Sequence, residues 1–258
     1  MNSVKLMKAP LFLIWRLWFG ILILFSILLF FPFLLLFSFK EEHYHLFWKF
    51  ARILSVILIY GMGFRIKFKA NENIDPNKSY MYCPNHGSLL DPFVLIALSK
   101  KPIVFVGKKE LAKIPVFGFF YKRTVIMVDR SSFESRKRVF KMARERLQNG
   151  VSMAIFPEGL VPSEDVVLAP FKKGAFSLAI EFGIPIIPQV YYDCKRFFSW
   201  DIFKGRPGVL RVHQHNFIET KGLSLEKDME ELKNKTFNII YKDLEKDVNY
   251  MKDTNRKR

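Results

Sequence analysis

Tyr80-Met81-Tyr82-Cys83-Pro84-Asn85-His86-Gly87-Ser88-Leu89-Leu90-Asp91-Pro92 reads as a short buried strand, a polar turn and the start of a helix. Similar apolar runs recur at Ile103 to Gly107, Val125 to Val128, Ser152 to Phe156, Ile186 to Tyr191 and Val209 to Phe217. Upstream, Phe64, Ile66 and Phe68 alternate with Arg65, Lys67 and Lys69, the period of a half-buried strand. About seven strands alternating with helical stretches predict an α/β domain, a single mixed and largely parallel sheet flanked by helices.

The connecting helices have readable ends. Ser131 precedes Glu134 by three residues, a capping-box pattern, and Gly150 closes a run carrying Val139, Ala143 and Leu147 on one face. Leu225, Met229, Leu232, Thr236 and Ile240 recur at helical spacing, so a final long helix is expected, with Thr254 to Arg258 frayed beyond it.

The N-terminus has a different texture. Half of the 258 residues are apolar and 28 are Phe, while 25% are charged, so the apolar excess must be concentrated. Leu17 to Phe39 carries no charge, and as a helix it would be about 35 Å long against a hydrocarbon core of about 30 Å. A second run, Ile53 to Phe64, is too short to span alone and fits an interfacial helix or the return arm of a hairpin. Pro32 sets a bent or re-entrant helix against a straight span. Trp15, Trp18 and Trp48 flank these runs, where amphipathic rings favour the headgroup level. The expected organisation is therefore a membrane-associated helical segment over 1–62 and a catalytic domain over 63–258.

The net charge of +17 suits nucleic acid or an anionic membrane surface. With that apolar N-terminus, and with neither zinc-finger spacing nor an RNA-binding aromatic strand, the membrane is the expected partner. Cys83 and Cys194, far apart and without metal-ligand spacing, fit a reduced, cytosol-facing domain with no metal site. The apolar run places the protein in the cell membrane. Lys5, Lys8 and Arg16 balance Lys40, Lys49 and Arg52 across that run, so the charge rule leaves topology open.

Three polar groups directly follow predicted buried strands: His86, Arg130 and Glu158. In open α/β sheets ligands bind beyond the carboxyl ends of parallel strands, so residues placed there can converge. His86 and Asp91 are five apart, which a regular helix would turn away from one another, so they meet only if the backbone departs from a helix near Gly87. Ser88 or Asp91 could begin the following helix. If Asp91 accepts from one imidazole nitrogen, the other is left as a base for an alcohol. Arg130 has the fork that matches a phosphate, or pairs with Asp129 or Glu134. Pro157 ends the ladder before it, and Glu158 with Gly159 forms a turn that could accept bonds from substrate hydroxyls. Lys108, Lys109, Lys113, Lys122 and Arg123 form a basic cluster suited to phosphates or headgroups. The apolar stretch Ile114 to Phe120 within it would line an acyl channel or belong to the core. No nucleophile stands out: Cys83 lies in a buried strand pattern and Ser88 looks like a cap.

Together these residues resemble the bacterial 1-acyl-sn-glycerol-3-phosphate (lysophosphatidate) acyltransferase family over essentially the whole chain. Four blocks carry the resemblance: Asn85 to Asp91, an HX4D motif; Val128-Asp129-Arg130, preceded by Lys108 to Leu111 and Ile114-Pro115; Phe156-Pro157-Glu158-Gly159; and Ile184-Pro185-Ile186-Ile187-Pro188 after Phe171 to Ala175. The resemblance implies His86 and Asp91 as the catalytic pair, and Arg130, Glu158, Gly159, Lys108 and Asn85 as substrate-binding residues. It implies acyl-CoA or acyl carrier protein (acyl-ACP) as donor, with no cofactor, and transfer to the sn-2 hydroxyl of lysophosphatidate in phospholipid synthesis.

Two positions depart from the pattern: Thr124 stands where the second block usually opens with Gly, and Leu160-Val161-Pro162 stands where the third usually continues Thr-Arg-Ser. A different lysolipid acceptor is therefore an alternative, with Lys172, Lys173 or Arg123 substituting for the missing Arg. A lipid ester hydrolase and a catalytically inactive membrane-binding protein are more distant ones.

Overall fold

A computed structural model describes residues 3–114, 117–129 and 133–255. Two helices come first, α1 (Ser3–Phe37) and α2 (Tyr44–Gly61). The sheet follows as β1 (Arg65–Ala70), β2 (Met81–Pro84), β3 (Ile103–Lys108), β4 (Val125–Val128), β5 (Ser152–Ala154), β6 (Ile186–Tyr191) and β7 (Val209–Gln214). Between and after the strands lie α3 (Asp91–Leu98), α4 (Phe117–Thr124), α5 (Phe133–Gln148), α6 (Gly174–Phe182), α7 (Cys194–Phe197), α8 (Met229–Lys246) and α9 (Val248–Asn255).

The seven strands form one sheet in the order β1-β7-β6-β2-β5-β3-β4. Neighbours β6-β2-β5-β3-β4 are all parallel, while β7 runs antiparallel to β6 and parallel to β1. This is the mixed, largely parallel α/β sheet expected from the alternation of strands and helices. Its consequence is positional: the carboxyl ends of β2 and β5 are adjacent, whereas β4 lies three strands from β2, about 14 Å at ordinary strand spacing.

Strand β2 is buried throughout because both of its faces are covered. Met81 and Cys83 join one apolar core with Phe120, Phe176 and Ile240, and Tyr82 joins the other with Trp48, Leu58, Leu95 and Phe198. Edge strand β1 is more open than its alternation predicts: Phe64, just before it, is buried, but Phe68 is 44% exposed. Gly150, at φ +70°, closes the last turn of α5, while Ser131 lies outside the described residues. Leu232, Thr236, Ile240 and Leu244 form the buried stripe of α8, and Leu225 falls before that helix. Thr254, expected to fray, is buried, with its hydroxyl on Tyr250 O at 2.8 Å, whereas 256–258 lie outside the described residues.

Helix α1 continues through Pro10 and Pro32, and its segment Pro10–Phe37 is long and apolar enough to cross a membrane. It lies along the domain. Trp15 packs edge-on against Phe64 and Phe198, Phe19 meets Phe93, and Phe31 meets Phe120, positions separated by about 24 Å of helix. Its other side is bare: Leu11, Ile14, Leu17, Ile21, Leu28 and Leu36 are exposed.

Candidate active site

The turn after β2 is organised around one carboxylate oxygen. Asp91 is the first residue of α3, and its side chain turns back instead of capping the helix. Its Oδ2 lies 2.9 Å from His86 Nδ1 and accepts the Gly87 and Ser88 N–H groups at 2.7 and 2.8 Å. Three groups converging on one buried oxygen fix the imidazole with Nδ1 toward it. His86 Nε2 has no hydrogen-bond partner among the described residues, and the side chain is 19% exposed. The ring also stacks on Phe156, with centroids 4.2 Å apart. The result is an oriented imidazole with one free basic nitrogen at the protein surface.

Glu158 occupies a different place from the one its turn suggested. It is buried, and its Oε1 and Oε2 accept the His86 N–H at 2.6 Å and the Ala169 N–H at 2.8 Å. Both oxygens are thus used inside the protein, so Glu158 holds the His86 backbone and the following loop instead of meeting a substrate hydroxyl. Burial pushes its carboxyl pKa up to about 7, against the lowering effect of those two N–H bonds. Gly159, at φ +74°, makes the turn that lets Glu158 point back.

Asn85 is likewise internal: its Oδ1 accepts the Tyr191 N–H at 2.7 Å and its Nδ2 donates to Tyr191 O at 3.2 Å. It stitches the end of β2 to the end of β6 and is shielded from any substrate, which corrects its expected binding role. The N–H groups of residues 86 to 88 all point at Glu158 or Asp91, so none of the three is open to an oxyanion.

The remaining candidates lie elsewhere along the sheet edge. Lys108 is exposed at the end of β3, with β5 between it and β2. Lys109 is ion-paired with Asp129. A cavity of about 340 Å³ opens there, lined by Lys109, Asp129, Glu134, Arg138 and Met142, and His86 is not part of its lining. Arg130 itself lies outside the described residues. Arg123 donates to Phe119 O and stacks on that ring at 3.7 Å, and Lys173 pairs with Glu230 at 2.8 Å, so neither is poised to replace a phosphate ligand near His86. In the stretch Ile114 to Phe120, Phe120 is core while Ile114 and Phe117 are exposed; Pro115 and Val116 are outside the described residues.

Sequence reasoning missed the element that clamps the turn from above, α7. Ser88 Oγ donates to Phe198 O at 2.7 Å, and a Cβ on Gly87 would come within 2.8 Å of Lys195 Cβ. Gly87 is therefore required for close approach. Lys195 Nζ in turn donates to Ser163 O and Val166 O at 3.0 and 2.6 Å, fastening the loop after Gly159. Burial lowers the Lys195 ammonium pKa, opposed by Glu158, Glu164 and Asp165. The buried Cys194 thiol, pushed well up by desolvation and then by Asp91, faces the same carboxylate. The rule that singled out His86, a polar residue just past a buried parallel strand, points to Tyr192 through Lys195 when applied to Ile186 to Tyr191.

A family model described as Acyltransferase matches residues 65–192, a span that contains His86, Asp91, Glu158 and Gly159. The 1-acyl-sn-glycerol-3-phosphate acyltransferase of Borreliella burgdorferi is 30% identical over 169 residues, covering 65% of this chain and 67% of that one. A protein of the same description from Chlamydomonas reinhardtii is 29% identical over 171 residues, 66% of this chain, and the chain spans half the length of that relative. In three dimensions the chain is similar to the crystal structure of the 1-acyl-sn-glycerophosphate (LPA) acyltransferase of Thermotoga maritima. The TM-score is 0.74 at 23% identity, over 90% of this chain and 94% of that one.

Proposed function

Because the chain belongs to the acyltransferase family, we propose that it transfers a fatty acyl group from an acyl thioester, acyl-CoA or acyl-ACP, to the sn-2 hydroxyl of lysophosphatidate. The product is phosphatidate, a step of phospholipid synthesis. The observation that carries this reading is the His86–Asp91 pair with Nε2 left free.

In the proposed step, His86 Nε2 takes the proton of the sn-2 hydroxyl as that oxygen bonds to the thioester carbonyl carbon. The carbonyl electrons move to its oxygen, and collapse of the tetrahedral intermediate expels the thiolate, which recovers the proton from Nε2. Asp91 balances the imidazolium formed midway. That imidazolium meets the oxyanion in this reading, since the local N–H groups are committed elsewhere.

Direct transfer is favoured over an acyl-enzyme by the state of every nearby nucleophile. The Ser88 hydroxyl is tied to Phe198 O, and burial raises the Cys83 and Cys194 thiols. Arg130, by resemblance to the family, is the proposed ligand of the acceptor phosphate. The relatives' descriptions support lysophosphatidate as acceptor, and Leu160-Val161-Pro162 is the place where another headgroup would be admitted.

The protein in this reading is bound to the membrane with its catalytic domain on the cytoplasmic face. A helix that touches the domain over about 24 Å of its length cannot cross a bilayer without drawing Phe93, Phe120 and Phe198 in with it, so α1 is proposed to lie within one leaflet. Arg16, on α1, donates to Ser199 O, Asp201 O and Lys204 O at 2.6, 3.3 and 2.8 Å, bringing exposed Trp200, Ile202 and Phe203 to the same lipid-facing level. Purified enzyme supplied with one acyl donor and a panel of lysolipids tests the proposal. Acylation of lysophosphatidate above other headgroups is expected, and release of free fatty acid without acylated lipid would overturn it.

A further inference from the structure

On the far side of the sheet from His86, a second group of titratable side chains meets at a single point. His213 lies on β7 and His215 just past its end, two residues apart, so both side chains leave the same face toward α8. His213 Nδ1 lies 2.7 Å and His215 Nε2 2.8 Å from the same oxygen, Asp243 Oδ2, with ring centroids 4.1 Å apart. Tyr192 OH donates to that oxygen at 2.7 Å, and His213 Nε2 is 3.0 Å from Asn71 Oδ1. All three side chains are mostly shielded, at 14%, 17% and 22% exposure.

A neutral imidazole carries one N–H. Both ring nitrogens of His213 face oxygens, Asp243 Oδ2 at 2.7 Å and Asn71 Oδ1 at 3.0 Å, so in either neutral tautomer a lone pair is aimed at an oxygen, an arrangement that calls for a positive charge there. His215 points a second nitrogen at the same spot, and the three donor atoms lie within 4.8 Å of one another.

We propose that His213 Nδ1, His215 Nε2 and Asp243 Oδ2 form a binding site for one borderline divalent transition-metal ion of the zinc class, with a fourth position open to water. Two imidazoles and a carboxylate are the ligand set such ions take, and too few oxygens are present for calcium or magnesium. Tetrahedral ligation at about 2.0 Å needs ligand separations near 3.3 Å, so each contact opens by about half an ångström, within reach of a small rotation of the Asp243 side chain. Asn71 and Tyr192 are the outer partners that fix the His213 tautomer and steady the carboxylate. The ion would join β7, α8 and the segment after β1. The inference is independent of the acyl-transfer proposal.

The test uses the full chain in detergent micelles, with any affinity tag removed and adventitious metal stripped by chelator, titrated with Zn2+ and with Co2+. One equivalent of Zn2+ per chain, a rise in melting temperature and the visible bands of tetrahedral Co2+ are expected. His215→Gln should abolish all three, and Asn71→Ala should weaken affinity by about tenfold. Circular dichroism and retained acyl transfer show that the variants are folded. Absence of stoichiometric binding in the wild type, or binding unchanged in folded His215→Gln and Asp243→Asn, would overturn the site and leave an imidazolium–carboxylate cluster.

Discussion

Two histidine–aspartate groupings stand on this one sheet, and they differ in what each leaves free. Asp91 spends Oδ2 on one imidazole and two backbone N–H groups, so the carboxylate is locked to the chain and His86 keeps Nε2 available. Asp243 receives two imidazoles and a phenol, and both nitrogens of His213 are engaged. The first arrangement suits a proton acceptor for an outside molecule. The second suits holding something already inside. Proximity of His to Asp is common to both, so the free nitrogen is the informative feature.

Substitutions should separate the two groupings. His86→Ala is expected to lower acyl transfer by on the order of 10⁴-fold, with vesicle binding and melting temperature retained; initial rates with lysophosphatidate check it. Asp91→Asn should cost on the order of 10³-fold and also about 2 kcal/mol of stability, because an amide NH2 turned toward Gly87 and Ser88 leaves buried donors unpaired.

Glu158→Gln is expected to lower activity by about tenfold to a hundredfold through the displaced His86 backbone, and it carries a pH signature. The Glu158 pKa is raised on folding from 4.5 to about 7, so its protonated form is favoured in the folded state. Its contribution is complete below about pH 4.5 and declines as pH rises toward about 7. The stability of the native protein minus that of Glu158→Gln should fall across that window in denaturant titrations, and a flat difference would contradict the buried placement.

Replacing Trp200 and Phe203 together by Glu should reduce turnover on vesicles by about tenfold while sparing a short-chain, water-soluble acceptor. His213→Ala should change acyl transfer less than about twofold and act on thermal stability instead.

Much of this was legible in the chain. Each strand was found because an apolar run between turn residues has few other folds open to it, and the parallel order of β2 and β5 then brings His86 and Glu158 together. The roles within the site were less legible. Asn85, Gly87 and Glu158 carry the residue types of a binding site, yet each serves the turn itself, because burial and partner choice depend on strands and loops about 70 to 110 residues distant. The same strand-end rule groups Arg130 with His86, and that residue lies outside the described residues. The His213 grouping was invisible because α8 supplies its third member from a position 30 residues on.

Helix α1 leaves one further consequence, for handling the protein. Its inner face covers Phe64, Phe93, Phe120 and Phe198, members of or neighbours to both apolar cores. Trimming α1 to obtain a detergent-free enzyme would trade an exposed aliphatic surface for a freshly opened aromatic one, next to the Phe198 carbonyl that anchors Ser88. The greasy helix is in this sense a wall of the catalytic unit, and solubility is better sought by recolouring its outer side with charge than by cutting it away.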